Sequence, residues 1–176
     1  MRIIHCADIH LDSALTTHLD KEKARTRRKE ILDTFRRMLV YASDNDVQAV
    51  IIAGDLFDSE MVSASTVNIV LGEIARHGEL EVYYLRGNHD PGISIFVGRN
   101  IPKNLHMFDE RWTYYQLNGM ADESAAHSGN DERCNIVLAG IEMTSDNKNR
   151  IYDELSLRER DVNIVTLHGQ EQEYGD

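Results

Sequence analysis

The sequence predicts an α/β chain in which parallel strands with helical crossovers come first and an antiparallel or mixed part follows. Three observations carry this. The chain has 176 residues, 41% of them hydrophobic, which suits one globular domain over 1–176 burying roughly 70% of its unfolded surface. Its first half alternates short apolar runs with helical patterns. Beyond Pro102 strand patterns recur with little helix between them.

Residues 2–7 (RIIHCA) read as a short buried strand ending at Asp8, with His5 a packed side chain. Residues 8–20 lack a helical period and read as a loop. From Lys21 to Ala42, Ile31, Leu32, Phe35, Leu39 and Ala42 fall on one stripe of a helix. Asp44, Asn45 and Asp46 stop it. Residues 47–53 (VQAVIIA) are the second strand. Residues 63–77 are a helix with Val67, Val70, Leu71 and Ile74 inward, ended by Gly78. Residues 80–85 (LEVYYL) are the third strand. Strands joined by such helices run parallel with right-handed crossovers. Further strands are expected at 104–108, 112–117, 135–141 and 162–167. The polar stretch 118–133 reads as an exposed excursion.

Charge and cysteine content narrow the function. There are 19 bases and 30 acids, a net charge of −11. Wholesale coating of a polyanion is excluded, so any nucleic-acid contact is local or helped by bound cations. The one strongly basic island is Asp20 to Arg37, with eight bases against four acids. Its plain reading is a solvated helix face. Its functional reading is a phosphate-backbone track through Arg27 and Arg28. Cys6 and Cys134 form no CxxC, which suits a reduced cytoplasmic chain. The first apolar run stops at Asp8, too short for a leader or a membrane span.

The chemistry-bearing residues cluster at strand ends. Asp8 and His10 follow the first strand, Gly54-Asp55 and Asp58 the second, Gly87-Asn88-His89-Asp90 the third, and His168 the last. Ligands of α/β sheets bind outside the carboxyl ends of the strands. Carboxylate, imidazole and amide groups gathered there need a cation. Oxygen and nitrogen donors without thiolate suit manganese, iron or zinc. Gly54 and Gly87 suit tight turns. No P-loop, nucleotide-binding glycine loop or Gly-x-Ser-x-Gly motif is present.

These motifs, Asp8-x-His10, Gly54-Asp55-x-x-Asp58, Gly87-Asn88-His89-Asp90 and His168-Gly169, resemble the ordered motifs of the calcineurin-like metallophosphoesterases. MRIIHCADIHLDSAL, AGDLFD and LRGNHD are most similar to its DNA-repair exonuclease branch, the nuclease subunit of the SbcCD type. The resemblance implies a β-sandwich of mixed sheets flanked by helices, lacking its final strands here. It implies two divalent ions, typically manganese, with iron, zinc or magnesium as alternatives. Asp8 and His10 would hold the first ion, Asn88 and His168 the second, and Asp55 both. His89 would sit over the scissile phosphate, oriented by Asp58. A metal-activated hydroxide would attack phosphorus in line.

One family element is missing. The family ends with Gly-His-x-His, and His168 is the last histidine of this sequence. Glu171, Glu173 and Asp176 are the remaining oxygen donors. The expectation is a truncated, under-coordinated chain that binds metal weakly, with an exposed sheet edge. The favoured function is phosphodiester hydrolysis, with DNA as substrate. A phosphatase or small-molecule phosphodiesterase is the alternative within the class. The alternative outside it is a non-catalytic platform for an SMC-like ATPase or for a homodimer.

Overall fold

The computed structural model describes residues 1–15, 19–58, 62–117 and 134–169. Strands β1 (Ile3–Cys6), β2 (Ala49–Ala53), β3 (Glu81–Leu85) and β4 (Leu105–Met107) form one sheet in that order. Every pair in it is parallel, with Ile3 opposite Ala49, Ala49 opposite Glu81 and Val82 opposite Leu105. Helices α1 (Lys21–Asp44) and α2 (Ala64–Arg76) make the first two crossovers. The third carries a single 3₁₀ turn, Ile93–Phe96.

The helix boundaries have local causes. Asp20 caps α1 by accepting the Lys23 N–H at 2.8 Å. That bond holds the Asp20 carboxyl below its ordinary range. Ser63 caps α2 through the Thr66 N–H at 3.2 Å. Both caps satisfy amides that the first turn leaves open.

A second sheet holds β5 (Thr113–Gln116), β6 (Ile136–Gly140) and β7 (Val162–Thr166) in that order. β5 and β6 are antiparallel, whereas β6 and β7 are parallel. The architecture is therefore mixed α/β, two sheets with helices on the outer face of the first. The strand expected at 104–108 belongs to the parallel sheet rather than to the mixed part. Val82 and Tyr84 of β3 meet Leu105 and Met107 directly.

Strand alternation divides the core in two. Val50, Ile52, Val82 and Tyr84 face α1 and α2, against Phe35, Leu39, Val70 and Ile74. Ala49, Ile51, Tyr83 and Leu85 face the second sheet, against Phe108 and Leu138. All of β2 is buried, because a central strand covered on both faces has no wet side. His5 departs from its expected packing. It shares the inter-sheet face with Ile3, but β1 is the edge strand and its imidazole is exposed. β7 is the edge of the other sheet, with Val162 51% and Val165 40% exposed. Among the described residues no helix is long and apolar enough to cross a membrane. The excursion at 118–133 and the donors Glu171, Glu173 and Asp176 lie outside the described residues.

Candidate metal centre

The parallel sheet sets the site at the carboxyl ends of β1, β2 and β3. Beyond the strands, the loops after β1 and β2 stay zipped together. The N–H groups of Asp8, His10 and Leu11 donate to the carbonyls of Gly54, Asp55 and Leu56 at 3.1, 3.0 and 2.8 Å. Within this run Asp8, His10 and Asp55 have φ of 53°, 50° and 52°. The left-handed region costs a non-glycine residue about 1–2 kcal/mol. The backbone is thus strained at three of the polar residues that the sequence marks out.

Two glycines make room. Gly54 has a φ of 93°, and a Cβ there would stand 2.0 Å from Nδ1 of His168. A Cβ on Gly87 would stand 2.1 Å from Oδ1 of Asp55. His168 therefore lies against the β2 turn, although it comes from β7 of the other sheet.

Asp55 is central and only 3% exposed. Its Oδ2 lies 3.8 Å from Nε2 of His10 and 3.4 Å from Nε2 of His168. Its Oδ1 accepts the His89 N–H at 3.0 Å. Asp8 Oδ1 is 3.9 Å from Nε2 of His10. Donor atoms of Asp8, Asp55 and His168 all lie within 4.8 Å of one another. Two donors bound 2.0–2.2 Å from one ion stand about 3–3.6 Å apart, so small adjustments suffice.

The protonation pattern favours a cation. Nδ1 of His168 lies 2.9 Å from the Ala53 carbonyl, which can only accept, so Nδ1 carries the proton. Nε2, the other ring nitrogen, faces Asn88 Oδ1 at 3.2 Å and Asp55 Oδ2 at 3.4 Å. In the neutral ring all three atoms offer lone pairs to one point. Such a set of oxygen and nitrogen donors suits a divalent ion. The residues present fit such an ion.

Asp58 and His89 take different positions from those the sequence reading pairs. Oδ1 of Asp58 is 2.8 Å from Nδ1 of His10, at an angle off the hydrogen-bond line. A carboxylate there fixes the far side of an imidazole that turns Nε2 to Asp8 and Asp55. His89 is exposed, and its ring meets that of His10 edge-on with centroids 5.3 Å apart. The basic island also divides. Arg28 donates to the carbonyls of Ala14 at 3.0 Å and Ser13 at 3.4 Å, pinning the loop after β1. Arg27 pairs with Glu30 at 2.8 Å on the exposed face.

Three further residues contribute, to which the sequence reading assigns no part in the site. Asp90 is 9% exposed and accepts the N–H groups of Phe57 at 2.8 Å and Gly87 at 2.7 Å, tying two site loops together. Burial raises its carboxyl above the ordinary range, against the pull of those bonds. Glu142 pairs with Arg86 beside the β3 turn. His5 lines the cleft of about 410 Å³ that also holds Asp8, Asp55, Asn88 and His168. Its signal is the two-residue period of β1, which puts it on the face of Ile3, away from Ile4 and Cys6.

Comparisons with known proteins bear on the family. A model of the calcineurin-like phosphoesterase family matches residues 1–175. The chain is 28% identical over 92 residues to the DNA double-strand break repair protein Mre11 of Methanopyrus kandleri (strain AV19), covering 51% of this chain and 19% of that protein. It is 30% identical over 112 residues to the uncharacterized metallophosphoesterase YhaO of Bacillus subtilis (strain 168), covering 61% and 28%. It is 29% identical over 93 residues to the SbcD component of the nuclease SbcCD from the same organism, covering 51% and 22%. The aligned part thus spans less than a third of each of these three relatives.

Proposed function

This chain belongs to the calcineurin-like phosphoesterase family, a family of metal-dependent hydrolases, and from that premise we propose that it cleaves phosphodiester bonds, with DNA as the favoured substrate. The observation that carries the reading is the convergence of His10 and His168 on one buried carboxylate oxygen of Asp55. Asp8 and His10 would hold one divalent ion, Asn88 and His168 a second, and Asp55 both. Manganese is the favoured metal, with iron, zinc or magnesium as alternatives. Bound there, such ions would lower the pKa of water and neutralise charge on phosphoryl oxygens.

The chain's own residues supply the rest. Asp58 steers Nε2 of His10 inward by occupying its Nδ1 side. His89, exposed beside His10 and anchored through its N–H to Asp55, is placed to give a proton to a leaving oxygen. Arg28 acts on substrate only indirectly, by shaping the loop after β1. Arg27, at the surface, is the better phosphate contact of the two. DNA as substrate is supported by similarity to two proteins named for DNA repair and nuclease activity. An SMC-like ATPase or a second copy is the partner class we propose on the same footing, with the exposed β7 edge in support. A cytoplasmic setting is proposed from the cysteine usage, two cysteines in 176 residues and no CxxC.

The test compares the native chain with Asp55→Asn. Manganese binding is measured by calorimetry, and turnover on bis(p-nitrophenyl) phosphate, p-nitrophenyl phosphate and a DNA oligonucleotide. The expected result is manganese binding and diester cleavage by the native chain, both lost in Asp55→Asn. Turnover of the monoester alone would replace the reading with a phosphatase. Equal metal binding by both proteins would end it.

A further inference from the structure

The turn that carries Asn88 and His89 is held from the opposite sheet. Arg86 directly follows β3 and precedes Gly87. Its Nε donates to Oε1 of Glu142 at 2.8 Å, its Nη2 pairs with Oε2, and its backbone N–H donates to Oε1 at 3.3 Å. Glu142 follows β6 by two residues and is only 4% exposed. Its own backbone is fixed at both ends. The Glu142 N–H donates to the Asp109 carbonyl at 2.9 Å, and its carbonyl accepts from Nδ2 of Asn147 at 2.8 Å.

Two more carboxylates grip the same turn. Gly87 donates to Asp90 at 2.7 Å and His89 to Asp55 at 3.0 Å. The N–H groups of residues 86, 87 and 89 therefore each end on a different carboxylate. Of these three, only Glu142 comes from the second sheet, the sheet that also brings His168.

Stability alone does not account for such a pair. Desolvating two charges consumes most of their attraction, and a well-packed apolar pair of similar volume is commonly as stable. A guanidinium–carboxylate fork offers direction instead, because two parallel N–H···O bonds define both distance and angle. The Nε and Nη2 edge of Arg86 is wholly taken by Glu142.

We propose that Glu142, acting through Arg86, is a positioning residue that clamps the β3 turn to the second sheet and so sets Asn88 and His89 in register with Asp55 and His168. The proposal rests on the reading of this site as a metal-dependent phosphoesterase centre. Its predicted signature is a separation of position from stability.

The experiment uses the full chain with Glu142→Gln, Arg86→Lys and the double variant Arg86→Met/Glu142→Leu, beside Asp55→Asn. Four quantities are read: melting temperature, amide hydrogen exchange at Gly87 and His89 without metal, manganese affinity from the free-ion paramagnetic resonance signal, and kcat and KM on bis(p-nitrophenyl) phosphate. Glu142→Gln should lower the melting temperature, and the double variant should restore it. Both should speed exchange at Gly87 and His89 by about tenfold or more and weaken manganese binding by roughly 10–100-fold, the usual cost of losing an outer support. In both, kcat should fall by about tenfold or more with KM nearly unchanged. Arg86→Lys keeps the charge but not the fork, and should speed exchange while holding the melting temperature.

Recovery of exchange protection, manganese affinity and kcat together with melting temperature in the double variant would overturn the proposal and leave a structural pair. Unchanged exchange at Gly87 and His89 in Glu142→Gln and Arg86→Lys would overturn it too, whatever the fold of the double variant. Equal manganese binding by the native chain and Asp55→Asn would instead strike the metal-centre reading, while exchange in metal-free protein still judges the clamp.

Discussion

The two sheets contribute to the site unequally, and strand direction explains why. In the first, all four strands are parallel, and the turns after β1, β2 and β3 bring Asp8, His10, Asp55, Asn88 and His89 to one end. In the second, β6 and β7 are parallel to each other, and their carboxyl ends lead to Glu142 and His168. β5 runs the other way and contributes none of the named residues. Parallel neighbours pool their carboxyl ends, whereas an antiparallel pair splits them. The strain divides likewise. Asp8, His10, Gly54 and Asp55 are left-handed in the turns of the first sheet, while among the described residues from 134 to 169 none is. The first sheet shapes the centre, and the second holds it in place.

The largest expected effect lies where the sheets touch at the site. Gly54→Ala forces a Cβ to within 2.0 Å of the His168 ring at a φ of 93°. We expect it to destabilise the fold by about 2–4 kcal/mol in urea titration. Manganese affinity should fall by roughly a hundredfold as His168 is pushed from Asp55. Native affinity in this variant would mean that His168 is not a ligand.

Gly140→Ala is the matching insult in the second sheet, at the last residue of β6. Its Cβ would stand 2.5 Å from the Phe108 ring and 2.8 Å from Cγ2 of Thr166. Overpacking there should cost about 1–3 kcal/mol, with manganese affinity falling by less than about tenfold, because the clash meets no proposed ligand directly. A loss of metal binding as large as that of Gly54→Ala would break the division of labour between the sheets.

Much of this was readable in the residues, for a specific reason. Apolar runs such as VQAVIIA, separated by amphipathic helices, leave few options besides parallel strands, and the polar residues then fall at their carboxyl ends. The helix limits were readable because Asp20 and Ser63 act within one turn. What escaped depends on contacts between distant segments. Glu142 meets Arg86 across 56 residues and two sheets, and no period in the chain announces it. Asp58 faces His10 because the loops after β1 and β2 run side by side. His5 is exposed because β1 is an edge, a property of strand order. Arg28, indistinguishable from its neighbours in a basic run, is taken up by two loop carbonyls.

A smaller effect tests how firmly the first sheet is closed beneath its turns. Cys6 lies two residues before Asp8, facing α1, and burial pushes its thiol from 9.0 to about 11. The folded chain therefore keeps a proton that the unfolded chain loses above pH 9.0. Since the native state binds more protons there, unfolding free energy falls as pH rises. Burial also lifts Tyr83, Tyr84 and Tyr115 from their ordinary value of 10.0. Between pH 9.0 and 10, Cys6 should take about 1 kcal/mol from stability and the three tyrosines together a comparable amount, so Cys6→Ala should remove about half of the slope. An unchanged slope in the variant would mean that water reaches the thiol and that the strand under the site opens readily.

The smallest effect concerns the interior of α2, in the outer layer. Gly72 lies inside α2, and a Cβ added there meets nothing within 4 Å. Gly72→Ala lowers the entropy of the unfolded chain without a clash, so stability should rise by about 0.5–1 kcal/mol. Manganese affinity should stay at the native value, because a Cβ at Gly72 meets no residue of the site. The variant thereby separates global stability from the local order of the turns. A gain in stability that also tightened metal binding would mean that the ligand turns open by global unfolding. They would then share one cooperative unit with the helices, and the two sheets could not be assigned separate roles.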